Sequence, residues 1–87
     1  MDTFLKLEII TPEINVYTGS VKSIKVPGKL SPFEVLINHA PIVSSLVEGV
    51  IRFTDDKNIE HKYQNGIGFI EVNKNEVAIF VDSATKI

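Results

Sequence analysis

Cysteine is absent from the 87 residues, which excludes a disulfide staple, a thiolate nucleophile and a cysteine-based zinc site. No apolar run approaches the roughly 20 residues of a membrane-spanning helix. Nine basic and eleven acidic residues are spread along the chain without runs, for a net charge of -2. The clustered Lys and Arg of a nucleic-acid surface are therefore missing. Met1-Asp2-Thr3 lacks the basic-then-apolar profile of a signal peptide. A soluble cytoplasmic protein is expected, with membrane contact only through a partner. Glycine and proline are few, at five and four, and the composition is otherwise that of a globular protein. One small domain spanning residues 1–87 is expected, burying roughly 60–65% of its unfolded surface.

What is present is short alternation. From Phe4 to Ile10, Leu5, Leu7 and Ile9 share one face, and Lys6 and Glu8 the other, as in a half-buried strand. Pro12 stops it. Ile14 to Thr18, rich in β-branched and aromatic residues, predicts a second strand. Gly19-Ser20 predicts a corner and Val21 to Val26 a third strand. Pro27-Gly28 fits the central positions of a type II turn, where glycine supplies the positive φ, and Lys29 to Pro32 reads as a loop. Phe33 to Leu46 passes from one apolar strand through the polar break Asn38-His39-Ala40-Pro41 into another. After Glu48-Gly49, the strands Val50 to Thr54 and Ile59 to Gln64 flank a hairpin loop at Asp55–Asn58. Asn65-Gly66 is the best type I′ hairpin signal. Gly66 to Val72 and Val77 to Val81 follow, joined by Asn73-Lys74-Asn75-Glu76. Helical spacing is nowhere sustained. The expected fold is all-β, a small flattened barrel or β-sandwich of about eight to ten short, mostly antiparallel strands.

Two stretches point to binding. Pro41 has no amide hydrogen and holds Ala40 extended, so His39 sits on a stiff exposed corner between two anchored strands. GIGFIEV and VAIFV are apolar on both faces. Phe69, Ile70, Ile79 and Phe80 then exceed what one inward face buries. The surplus marks either a partner surface or a face covered by a curled sheet or by the N-terminal strand. Chemistry is weakly represented. His39 and His61 lack metal-ligand spacing, and His61 shares a face with Ile59 and Tyr63, as a satisfied rim or core residue does. No nucleophile has a fixed geometry to His39, and Ser44 and Ser45 read as strand polars. Asp55-Asp56 sits at a hairpin tip, where exposure is expected to leave its pKa values ordinary. Gly66-Ile67-Gly68 lacks the third glycine and the helix of a dinucleotide site. No catalytic residue, cofactor or metal is expected.

Several segments, in order, resemble the N-terminal β-sandwich of the epsilon subunit of F-type ATP synthase (delta in mitochondria). They are Leu7-Glu8-Ile9-Ile10-Thr11-Pro12-Glu13, Val16-Tyr17-Thr18-Gly19, Val26-Pro27-Gly28 and His39-Ala40-Pro41. Leu46-Val47-Glu48-Gly49-Val50-Ile51-Arg52, Gly66-Ile67-Gly68-Phe69-Ile70-Glu71-Val72 and Val81-Asp82-Ser83-Ala84 continue the match over nearly the whole chain. The resemblance implies a non-catalytic rotor subunit of the central stalk, at the cytoplasmic face of the bacterial inner membrane. It would clamp the gamma subunit to the ring of c subunits, so that proton-driven rotation reaches the catalytic head. Positions matching the gamma-facing surface are Thr11, His39, Ala40, Pro41 and Ser44. Lys29, Leu30, Ser31 and Pro32 match the loop that meets the polar loops of the c-ring.

Two departures accompany the match. The family's loop before the fourth strand usually carries glycine and an acidic residue, where this chain reads Lys29-Leu30-Ser31-Pro32-Phe33-Glu34. Lys29 is thus a candidate partner for carboxylates of the c loops. Most members also continue past the position of Ala84 into an inhibitory helical hairpin. The expectation from the sequence is rotary coupling without that hairpin. Two other classes of function stay in view: a free-standing ligand-binding β-sandwich with a pocket between its sheets, and a small hydrolase or isomerase centred on His39.

Overall fold

The computed structural model describes residues 3–87; Met1 and Asp2, on which the signal-peptide reading partly rests, lie outside the described residues. Nine strands make up the fold, with no helix among the described residues. They are β1 (Leu5–Ile10), β2 (Asn15–Val26), β3 (Phe33–Val35), β4 (Ile42–Leu46) and β5 (Gly49–Asp55), then β6 (Glu60–Asn65), β7 (Gly68–Asn73), β8 (Glu76–Val81) and β9 (Ala84–Lys86). The hydrogen-bonded order is β4-β7-β8-β1-β2-β5-β6-β9, with β3 also on β2. Every pairing is antiparallel except β1 with β8. The sheet does not close, and its two halves pack as a sandwich.

The alternation read from β1 becomes burial directly: Leu5, Leu7 and Ile9 are fully buried while Lys6 and Glu8 are exposed. Ile24, Ile51, Ile70 and Ile79 meet them from the other strands, each with no exposed surface. Packing of such side chains, worth about 1.5–3 kcal/mol each on burial, supplies most of the driving force for a domain without covalent staples.

Four local expectations are corrected. Gly19-Ser20 is no corner: β2 runs unbroken for 12 residues. Its first half pairs with β1 and its second with β5 and β3. The register shift between Val21 and Ser23 bends the strand from one layer into the other, as a bulge does. Pro27-Gly28 is not a type II turn, because no glycine has a positive φ. Gly28 N–H instead donates to the Val26 carbonyl at 3.1 Å, a tight turn centred on Pro27. The chain then runs beside β4, through the Gly28–Leu46 bridge and the bonds from Lys29 N–H to Ser45 O and from Val47 N–H to Pro27 O, each 2.9 Å.

Asn65-Gly66 makes no hairpin either, since β6 pairs with β5 and β9 while β7 pairs with β4 and β8. Gly66 serves close approach instead: a Cβ there would strike the Asp82 and Ser83 side chains. The fourth correction is β9, a three-residue strand that the sequence reading omits. The turn at Asn73–Glu76 is as expected, with Lys74 and Asn75 both at positive φ (51° and 63°), the type I′ geometry.

Candidate binding surface

The connection from β3 to β4 turns earlier than Pro41 suggests. His39 N–H donates to the Leu36 carbonyl at 3.1 Å, and Asn38 holds φ at 64°, the type II pattern with a positive φ at the third residue. Asparagine tolerates this because its short polar side chain bonds locally. Pro41 then leads straight into β4. Ala40 and Pro41 are exposed, whereas His39 is half-buried and its Nδ1–H donates to the Ala40 carbonyl at 2.7 Å. That bond ties the ring to its own backbone and fixes its orientation on the corner.

The outward faces of β4, β7, β8 and β1 form a second feature. Pairing aligns Ser45, Phe69, Phe80 and Ile10 in one row and Val43, Glu71, Ala78 and Glu8 in the next. Ile70 and Ile79 point into the core, while the Phe69 and Phe80 rings stack outside it at 5.0 Å. β1 does not cover them, because it joins the sheet edge-on beside β8. Phe69 is 40% exposed, Ile67 64% and Val43 72%. Two adjoining hollows share Ile67, Gly68 and Phe69. One is walled by Ile10, Thr11, Pro12 and Phe80, the other by Lys29, Val43, Ser44, Ser45 and Val47.

This geometry sorts the residues singled out from the sequence. Thr11 edges the first hollow, with its hydroxyl engaged on the Ile14 carbonyl at 3.1 Å. Ser44 lines the second beside Lys29, but it is half-buried and pairs with Ile70, so Val43 and Ser45 present the face. His39, Ala40 and Pro41 line neither hollow and stand at the opposite end of β4. Lys29, Leu30, Ser31 and Pro32 are all exposed, and Leu30 is 100% exposed at the tip of its loop. Sequence reasoning passed over Val43 and Ile67. The period-two alternation, carried from Phe69 across to the neighbouring strand, is the signal that finds Val43.

Titratable groups cluster in the other layer. Asp55 is buried, contrary to the expected exposed tip, and the His61 Nε2–H donates to its Oδ2 at 2.8 Å. That bond, with the amide hydrogen bonds of Ile59 and Lys57, holds the Asp55 carboxyl down at about 2. Of the rim or core placement expected for His61, the structure has the rim: the ring is half-buried and stacked on Phe53 at 4.8 Å. No group of three or more His, Cys, Asp or Glu gathers for a metal among the described residues.

The family model for the ATP synthase delta/epsilon chain β-sandwich domain matches residues 4–87. The ATP synthase epsilon chain of Desulfosudis oleivorans is 35% identical over 82 residues, covering 94% of this chain and 62% of that one. That of Helicobacter pylori strain Shi470 is 40% identical over 80 residues, covering 92% and 64%. The chain thus spans roughly six-tenths of the length of these curated relatives. Among solved structures, a Euglena gracilis mitochondrial ATP synthase with its c-ring superposes at a TM-score of 0.93, over 99% of this chain and 55% of that one, at 19% identity. The Tetrahymena thermophila central stalk and c-ring gives 0.76, over 92% and 64%, at 15% identity. At these identities the two structures speak for the fold.

Proposed function

The chain belongs to the ATP synthase delta/epsilon β-sandwich family, and from that premise we propose that it is a non-catalytic rotor subunit of the central stalk. In this reading it binds the gamma subunit through the β4-β7-β8-β1 face and the Ala40–Pro41 corner. It meets the polar loops of the c-ring through Lys29–Pro32. Proton-driven rotation of the ring then reaches the catalytic head through the sandwich, which sits peripherally at the cytoplasmic face of the bacterial inner membrane.

The observation that carries it is the Phe69–Phe80 stack with exposed Ile67 and Val43 beside it. Stacked rings on the outside of a filled core stabilise little while they face water, and clustered aromatic and aliphatic side chains of this kind suit a partner surface. Fully exposed Leu30 supports a second contact on the same logic. Direct coupling needs a stiff body between the two partners, and a two-layer sandwich with a fully buried aliphatic core is one.

Titration of the chain against the gamma subunit from the same cell, read by native mass spectrometry and calorimetry, tests the proposal. A one-to-one complex is expected. Ala40→Glu and Ile67→Glu are each expected to weaken it at least about tenfold with little change in the melting temperature, since both positions are exposed and a charge there meets chiefly the partner. Absence of a complex where the chain is folded would overturn the proposal and leave the ligand-binding sandwich.

A further inference from the structure

The exposed corner is a six-residue connection between a three-residue strand and the outermost strand of the order, β4. A type II turn on its own does not hold such a connection in one orientation. Two hydrogen bonds leave the corner for the neighbouring β7–β8 turn, at the same end of the sheet, and both end on Asn75. The Asn38 backbone N–H donates to Asn75 Oδ1 at 2.6 Å, and Asn75 Nδ2–H donates to Asn38 Oδ1 at 3.1 Å. The pairing is reciprocal and spans 37 residues of sequence.

Asn75 is itself fixed. It is only 9% exposed, it occupies the second central position of the β7–β8 turn at φ 63°, and its carbonyl accepts the Lys6 N–H at 2.9 Å. The turn therefore stands on β7, β8 and β1, whose inward residues Val72, Val77 and Leu5 are buried. Asparagine meets these demands together. Its side chain offers an acceptor to one backbone N–H and a donor to one amide oxygen, and its backbone accepts the left-handed region.

We propose that Asn75 is a positioning residue for partner binding, which holds the Leu36–Pro41 corner in its binding-ready orientation through a two-bond clasp on Asn38. The inference rests on the reading of Ala40 and Pro41 as part of the gamma-binding surface and adds a residue that touches no partner. A pre-ordered corner loses less conformational freedom on association, so loss of the clasp weakens binding while the contact residues stay unchanged.

Asn75→Gly is the decisive variant, because glycine keeps the positive φ that the turn needs and deletes only the side chain. Amide hydrogen exchange of the full chain is expected to speed up about tenfold or more at Asn38 and His39, with the β7 and β8 core amides unchanged. Affinity for gamma is expected to fall by about tenfold. Asn38→Gly, with the double variant, completes a cycle in which the two effects are not additive. Unchanged exchange at Asn38 and His39 in folded Asn75→Gly would overturn the clasp. Faster exchange with undiminished affinity, in a preparation where Ala40→Glu does weaken binding, would overturn the positioning role. If Ala40→Glu itself has no effect on a complex that does form, the corner is no part of the gamma-binding surface and the positioning role falls with it, whatever the exchange data show of the clasp.

Discussion

Asp55 Oδ1 accepts the amides of Lys57 at 2.8 Å and Ile59 at 3.0 Å, and Oδ2 accepts the His61 imidazole N–H at 2.8 Å. One carboxylate thus closes the β5–β6 loop and fixes the ring that stacks on Phe53. With its pKa lowered from the usual carboxylate value to about 2, the folded state binds this proton less readily than the unfolded chain. The stabilisation is full above the unfolded value of roughly 3.9 and is lost as pH falls through about 2. Asp55→Ala is expected to lower stability at neutral pH, with the gap to the wild-type chain narrowing between roughly pH 4 and pH 2. Urea unfolding at a series of pH values measures it; a gap independent of pH would contradict the assignment. At this scale the sequence was half legible. The hairpin and a satisfied rim or core role for His61 were readable, but an aspartate beside a turn looks exposed until its three donors fold around it.

Between elements, glycine marks where strands crowd. A Cβ on Gly68 would lie 2.7 Å from Val81 Cα and 2.8 Å from the Phe80 carbonyl carbon. These are backbone atoms of the paired strand and cannot rotate aside. At Gly66 the obstruction is the Asp82 and Ser83 side chains, which can. Gly68→Ala is therefore expected to cost about 1–3 kcal/mol and Gly66→Ala less, by thermal or urea melts. The reverse ranking would show that β7 and β8 relax apart. The same contacts explain why Asn65-Gly66 misleads as a hairpin. The dipeptide sits where the chain leaves β6 in one layer and enters β7 in the other, and its glycine is used for space rather than for φ. Asn65 is bound into the crossing as well, its Nδ2 donating to the Val47 carbonyl at 3.2 Å and the Gly66 carbonyl at 2.8 Å.

Across the whole molecule, the proposed partner surfaces are separate enough to be lost one at a time. Leu30 stands clear of the core at the tip of its loop and lines neither hollow, and the Ala40–Pro41 corner lies at the far end of β4. Lys29, by contrast, also walls the hollow beside Val43 and Phe69. Leu30→Glu is expected to leave the melting temperature and gamma binding unchanged and to weaken retention on assembled c-rings at least about tenfold. Retention equal to wild type in a pull-down on detergent-solubilised rings would remove Leu30 from that contact. Lys29→Ala belongs to the same experiment. If its charge meets c-loop carboxylates, its effect shrinks as salt rises, because exposed pairs are screened over about 10 Å at 0.1 M.

Alternation in short strands determined by itself that the fold is all-β and which side of β1 enters the core. The two-sided apolar runs of β7 and β8 showed that Phe69, Ile70, Ile79 and Phe80 exceed one face, without showing which of them face outward. The ordered run of matching segments determined the family. Those signals are local or linear, and burial of an apolar face leaves a period-two strand no other register. Only the tertiary structure decided that β2 is one strand shared by two layers, that Asn65-Gly66 crosses between them, and that Asp55 is enclosed. It also decided that Asn75 reaches Asn38. Each of these depends on which distant strand becomes a neighbour. Turn propensity acts over about four residues and carries no information about a partner 37 positions away.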